Sequence, residues 1–242
     1  MRTVRAAFLW TGIGLATLLF GLPALLAAYV PPRGDWFLRF ARGWARTILF
    51  LSGVPLRVEG RERLASLENA SAVIVANHES LADILVLLAS LPMQVRFLAK
   101  RRIFSVPVLG WSIRAAGFIP VDRGDRSRGA ATFDAAMARL QGGRSVIVFP
   151  EETRTRTGEL LPFKKGAALL ALRSGLPLLP VGIAGTRRVL PRDTLLPTAG
   201  PAAIVIGEPI QVAGRPATDR GKLTEEARAA VAELRERAAS LA

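Results

Sequence analysis

The chain contains no cysteine, a single histidine, a single tyrosine and three methionines among 242 residues. Without cysteine there can be neither disulfides nor thiolate metal sites, and one histidine is too few for a zinc centre, so no metal is expected. A thiol nucleophile is excluded too, and no Gly-x-Ser-x-Gly elbow is present to supply a serine in its place. Acidic residues are scarce: 19 stand against 33 lysines and arginines, leaving a net charge of +14. That balance suits an anionic membrane surface or a phosphorylated substrate. A bias toward arginine with no particular partner behind it is the plainer alternative. Nothing matches a recognition helix or an aromatic RNA-binding pattern, and one tyrosine adds little stacking surface, so nucleic acid is not expected as a partner. There is no internal repeat and no low-complexity linker.

What is present is apolar. Half the residues are hydrophobic and the mean hydropathy is +0.32, high for a domain of this length. Residues 6–30 carry no charge. As a helix they would reach about 37 Å, enough for a bilayer core of about 30 Å. Arg2 and Arg5 precede this run, Pro31, Pro32 and Arg33 end it, and Pro23 interrupts it. A kinked or re-entrant helix fits; a signal peptide is the competing reading. Residues 35–51 are amphipathic. Arg39, Arg42 and Arg46 share one face, and Phe37, Ala41, Trp44 and Ile48 fall opposite. That is the pattern of a helix lying in a membrane interface, although a helix packed on its own domain shows the same periodicity. Residues 1–53 therefore read as a two-helix membrane anchor and 54–242 as a globular domain.

In that second region strands and helices alternate. Strands are expected at 56–59, 72–76, 95–99, 117–121, 145–149, 178–183 and 202–206. Helices are expected at 80–91, 107–116, 129–141, 165–174 and 224–239. This order predicts an α/β fold with a largely parallel sheet flanked by helices. Active sites in such sheets gather beyond the carboxyl ends of the strands. Asn77-His78, Asp122-Arg123 and the stretch from Glu151 to Arg154 all fall there.

His78 is the only imidazole, so any imidazole base catalysis must use it. A carboxylate on one ring nitrogen would fix the tautomer and stabilise the cation formed when the other nitrogen takes a proton. Asp83 can do this only if His78 precedes the helix, since five residues along one helix would set them about 140° apart. Ser80-x-x-Asp83 is a capping-box spacing, which places His78 in the turn. The same spacing allows Asp83 to be no more than a cap.

The pattern Asn77-His78-x-x-x-x-Asp83 resembles the signature of glycerolipid acyltransferases of the lysophosphatidate acyltransferase type. Later segments resemble that family in order: Ala99-Lys100 through Gly110-Trp111, then Gly117-Phe-Ile-Pro-Val-Asp122-Arg123. After these come Phe149-Pro150-Glu151-Glu152-Thr153-Arg154 with Leu161-Pro-Phe-Lys164-Lys165-Gly166, and finally Leu179-Pro180-Val181-Gly182-Ile183. The resemblance spans about residues 55–210 and extends to the apolar N-terminal helix pair. It implies direct acyl transfer, with His78 deprotonating a lysophospholipid hydroxyl and Asp83 orienting it. An acyl-coenzyme A or acyl carrier protein thioester would be the co-substrate, with no other cofactor. It implies substrate binding by Asn77, Lys100, Arg123, Glu151, Thr153 and Arg154, the arginines taking phosphate bidentately and Glu151 taking a hydroxyl or holding Arg154. It implies a cell-membrane protein whose catalytic domain faces the cytoplasm, where acyl thioesters are found. The product would be phosphatidate, from 1-acylglycerol 3-phosphate.

Two positions depart from the family. Glu152 stands where glycine is usual, removing an easy positive φ, and Arg102 stands where an acidic residue is common. Another lysolipid, such as lyso-ornithine lipid, or glycerol 3-phosphate is therefore an alternative acceptor. A non-enzymatic basic peripheral membrane protein is the alternative outside catalysis.

Overall fold

The computed structural model describes residues 2–27, 29–30, 35–67, 71–106, 109–122, 129–194 and 196–242. Its centre is a seven-stranded sheet in the order β1-β7-β6-β2-β5-β3-β4. The strands are β1 (Leu56–Glu59), β2 (Val73–Ala76), β3 (Val95–Lys100), β4 (Ile119–Val121), β5 (Ser145–Val148), β6 (Leu178–Ala184) and β7 (Ala202–Ile206). Every pairing is parallel except β6 with β7, so β1 and β7 run against the other five. The helices are α1 (Arg2–Ala27), α2 (Asp35–Leu51), α3 (Ala82–Ser90), α4 (Leu109–Ala115), α5 (Gly129–Gln141), α6 (Gly166–Ser174), α7 (Thr186–Val189) and α8 (Arg220–Leu241). The expected α/β architecture is present, and most expected elements lie within a few residues of the observed ones.

The sheet is covered on both faces, which explains strands without polar alternation. In β2 every residue is buried. Ile74 and Ala76 face the layer containing α2 and α3, while Val73 and Val75 face α5, α6 and α8.

At α2 the apolar face follows the second of its two expected readings, a helix packed on its own domain. Phe37, Leu38, Ala41, Ala45 and Leu49 join the same buried cluster as Ile74, Leu179 and Val181. A division at residue 53 thus passes through one core. The basic stripe is also turned inward. Arg42 donates to the carbonyls of Leu91 at 3.0 Å and Met93 at 2.5 Å, and Arg46 to that of Ala89 at 3.2 Å. The Ala89 and Leu91 carbonyls lie at the end of α3, where a helix dipole is negative and the last C=O groups lack partners, and Met93 lies in the loop just beyond. Arg96, 1% exposed, bonds Asp35 at the start of α2 at 2.6 Å. Burial, set against the help of Asp35, lowers its pKa to about 10.

α1 is one continuous helix through Pro23 and packs antiparallel to α2. Gly12 lies against Leu51, Gly43 against Phe20, and the Trp44 indole donates to Thr17 Oγ1 at 3.1 Å. Away from α2, Leu15, Leu18, Leu19, Leu22 and Leu26 are exposed. Ala6–Ala27 is long and apolar enough to cross a membrane by length and composition.

Candidate active site

β2 ends at Ala76 and the chain turns before α3 begins at Ala82. His78 therefore precedes the helix, and Asp83 sits in its first turn. His78 Nδ1 lies 2.8 Å from Asp83 Oδ2. The same oxygen accepts the backbone N–H groups of Glu79 at 2.8 Å and Ser80 at 3.0 Å. Thr186 Oγ1 donates to Asp83 Oδ1 at 2.5 Å. Asp83 is completely buried, and the four donors satisfy both of its oxygens. Asp83 thus caps the turn and orients the imidazole at once. With Asp83 as the acceptor Nδ1 is the donor of this contact, and in the neutral ring Nε2 is then the acceptor. Among the described residues no protein group bonds Nε2. One face of the ring is covered by Phe149, stacked at 4.1 Å between centroids.

The turn is tied to its neighbours from three directions. Asn77, 1% exposed, donates to the Ile183 carbonyl at 2.9 Å and accepts the Ile183 N–H at 2.8 Å. Its amide ties the end of β2 to β6, and its Nδ2 also donates to Glu79 Oε1 at 3.4 Å. Glu151 likewise spends its carboxylate on backbone. Oε1 accepts the His78 N–H at 2.6 Å and Oε2 the Leu161 N–H at 2.9 Å. Among the described residues it is not paired with Arg154. Burial pushes its pKa up, against the pull of those two N–H groups. In return the His78 carbonyl accepts the Thr155 N–H at 3.0 Å.

The third tie comes from α8. Arg235 Nε donates to Glu79 Oε1 at 2.9 Å, and its Nη2 donates to the Gly158 carbonyl. One guanidinium thereby joins the loop carrying His78 to the loop carrying Glu151 and Arg154. Its reach depends on Gly182: a Cβ there would collide with the backbone of Leu234 and Arg235. Burial raises the Glu79 pKa despite Arg235, and Asp83 adds to the rise.

The remaining expected residues are less closely drawn in. Lys100 ends β3 and is exposed; Thr153 is exposed and Arg154 half-buried in the loop after β5. All three lie at or beyond strand carboxyl ends, as His78 does. Arg123 lies outside the described residues. Glu152 has φ +58°, the left-handed region that favours glycine, so the backbone keeps the glycine-type turn despite the side chain.

Glu79, Phe149, Thr186 and Arg235 carry this geometry and were not singled out by sequence. Thr186 and Arg235 lie 103 and 156 positions from their partners, beyond any local pattern. Only the glycine of Leu179-Pro-Val-Gly182-Ile183 hinted that something packs closely on β6.

Comparison with known proteins agrees with this arrangement. Residues 55–184 match the family model named Acyltransferase. The chloroplastic 1-acyl-sn-glycerol-3-phosphate acyltransferase of Arabidopsis thaliana is 32% identical over 220 residues, covering 90% of this chain and 59% of that protein. The chloroplastic enzyme of the same name from Brassica napus is 36% identical over 154 residues, covering 63% and 44% respectively. The chain thus spans about half the length of these curated relatives. The crystal structure of the 1-acyl-sn-glycerophosphate acyltransferase PlsC from Thermotoga maritima superposes with a TM-score of 0.78 at 27% identity. It covers 97% of this chain and 98% of its own. With the family match reaching from β1 to the end of β6 and enclosing the whole His78–Asp83 turn, the chain belongs to the acyltransferase family.

Proposed function

We propose that the protein is a membrane-bound acyltransferase that acylates the free hydroxyl of 1-acylglycerol 3-phosphate to form phosphatidate. The observation that carries this reading is the His78–Asp83 pair, with Asp83 saturated by donors and Nε2 left as acceptor. Nε2 takes the hydroxyl proton as the substrate oxygen attacks the thioester carbonyl. The imidazolium is stabilised by Asp83 across 2.8 Å. Collapse of the tetrahedral adduct breaks the carbon–sulfur bond, and the proton on Nε2 passes to the leaving thiolate. The protein forms no covalent bond, consistent with a chain that has no cysteine.

The donor is acyl-coenzyme A or acyl carrier protein, both acidic partners for a chain of charge +14. Lys100 and Arg154 take the acceptor phosphate, with Arg123 and Thr153 beside them. Asn77 and Glu151 serve that site by holding its walls. The names of the relatives support 1-acylglycerol 3-phosphate as acceptor. The retained turn at Glu152 supports an acceptor loop of unchanged backbone.

α1 is the membrane anchor. It presses along α2, which is itself part of the core, and reaches α4. That arrangement suits a helix sunk in one leaflet of the cell membrane with the catalytic domain on the cytoplasmic side. A panel of lysolipids offered to the detergent-purified protein with labelled acyl-coenzyme A tests the acceptor. Labelled phosphatidate as the main product supports this reading. Equal labelling of lyso-ornithine lipid, or labelling of glycerol 3-phosphate instead, contradicts it.

A further inference from the structure

The sheet edge at β4 carries a cluster of arginines that are not among the residues assigned to acyl transfer. A cavity of about 420 Å³ lies between the turn at Arg101–Ser105, α4, β4 and α5. It is lined by Arg101, Arg114 and Arg139 together with Phe104, Phe118 and Pro120. Arg101 Nε bonds Asp122 Oδ2 at 2.5 Å. Arg114 and Arg139 bond carbonyls instead, those of Phe104 at 3.3 Å and Gly117 at 2.9 Å. A carbonyl satisfies one N–H but cancels no charge, and each guanidinium has five N–H groups. Among the described residues, one carboxylate thus matches three cations around this cavity.

The adjoining surface is apolar. Val106, Leu109 and Trp111 are 45%, 49% and 56% exposed. Trp111 and Arg114 lie three residues apart, on neighbouring positions of the outer face of α4. α4 touches α1, whose own exposed face is lined with leucines. Large apolar side chains grouped beside arginines, with a tryptophan among them, are suited to the boundary between headgroups and acyl chains. The cavity is remote from the chemistry. β4 stands three strands from β2, about 14 Å at the usual strand spacing. Arg139 reaches it near the amino end of β4, while Arg101 enters it at the carboxyl end of β3, next to Lys100.

We propose that this corner is a second membrane contact: Val106, Leu109 and Trp111 enter the interface, and Arg101, Arg114 and Arg139 hold the phosphate of an anionic phospholipid headgroup. A phosphodiester presents two charged oxygens to the guanidinium fork. Two contacts, at α1 and at α4, fix the domain's rotation about the anchor as well as its distance from the bilayer. This inference rests on α1 lying in lipid and is independent of the reaction.

The cysteine-free chain allows a direct test. Environment-sensitive fluorophores are placed singly on the full chain by Leu109→Cys, by Leu19→Cys on the exposed face of α1, and by Glu233→Cys on the exposed face of α8. Each is read in vesicles of phosphatidylcholine with and without phosphatidylglycerol. The expected result is a several-fold gain at Leu109, quenched by nitroxide lipids and larger with phosphatidylglycerol. Combining it with Arg101→Ala and Arg114→Ala should remove the phosphatidylglycerol-dependent part and leave Leu19 unchanged. Leu19 in lipid with Leu109 as wet as Glu233 overturns this proposal alone. Leu19 also in water overturns the anchor, and this proposal with it. A Leu109 signal indifferent to phosphatidylglycerol but displaced by free coenzyme A overturns the lipid headgroup in favour of a soluble phosphate ligand.

Discussion

The turn at His78 and the corner at α4 are both rich in charge, yet they are built in opposite ways. At His78 every buried charge is matched. Asp83 takes four donors, Glu151 two and Glu79 the guanidinium of Arg235. At α4 the arginines are half-exposed or exposed and mostly lean on neutral carbonyls. Chemistry needs the base held in one orientation and one tautomer, which requires satisfied partners and low freedom. A lipid surface is itself mobile and supplies its own counter-charge, so a cationic face left open serves it better. The contrast separates residues whose loss should damage turnover from residues whose loss should damage attachment.

Asp83→Asn breaks the first half of the contrast most severely. Its amide can keep the oxygen toward His78, Glu79 and Ser80 and turn its NH2 to the Thr186 hydroxyl, so the turn survives while the charge is lost. Turnover is expected to fall by about 10²–10⁴-fold, as for loss of an orienting carboxylate, with circular dichroism unchanged. A loss of folding with normal turnover per folded molecule would make Asp83 a cap alone.

Arg235→Met comes next, since it leaves the dyad intact and frees the Glu79 tie. Turnover is expected to drop by about 10-fold with little change in KM for the acceptor, the sign of misplaced rather than missing groups. The pH dependence sharpens this. Glu79 has a folded pKa above its unfolded one because of burial. Its contribution therefore favours folding at low pH and weakens as pH rises above the ordinary carboxylate range. Removing Arg235 takes away what holds that rise down, so the stability gap to wild type should widen as pH rises above the ordinary carboxylate range. A gap that narrows would contradict the tie.

Arg42→Ala with Arg46→Ala leaves the α3 carbonyls without their donors, and a loss of about 1–2 kcal/mol is expected, read by urea titration. If α2 instead holds its arginines toward lipid, stability in detergent should not change. Glu152→Gly should have the smallest effect: relief of the left-handed strain is worth about 1 kcal/mol, or about 2–4 °C in Tm for a chain of this length.

The comparison also shows what a single sequence discloses. The strands were legible because burial on both faces makes them short apolar runs, and the 202–206 strand matches β7 residue for residue. The dyad was legible because both members lie within one turn. Thr186, Arg235 and Phe149 were not, since their partners are brought near only by the sheet order. α2 shows a subtler failure. Its periodicity was read correctly, but period alone does not say whether an apolar face meets lipid or protein, nor whether arginines meet headgroups or the carbonyl end of α3. At Asn77 and Glu151 the resemblance implied substrate contact, and the structure adds that both side chains also hold neighbouring backbone.

The most direct test is thiol release from acyl-coenzyme A by the detergent-purified full chain, with 1-acylglycerol 3-phosphate added, run beside His78→Ala. Acceptor-dependent release in the wild type, reduced at least about 10³-fold in the variant while its fold is retained, is the predicted result. Near-wild-type release by His78→Ala would contradict imidazole base catalysis and, with it, the account of the turn.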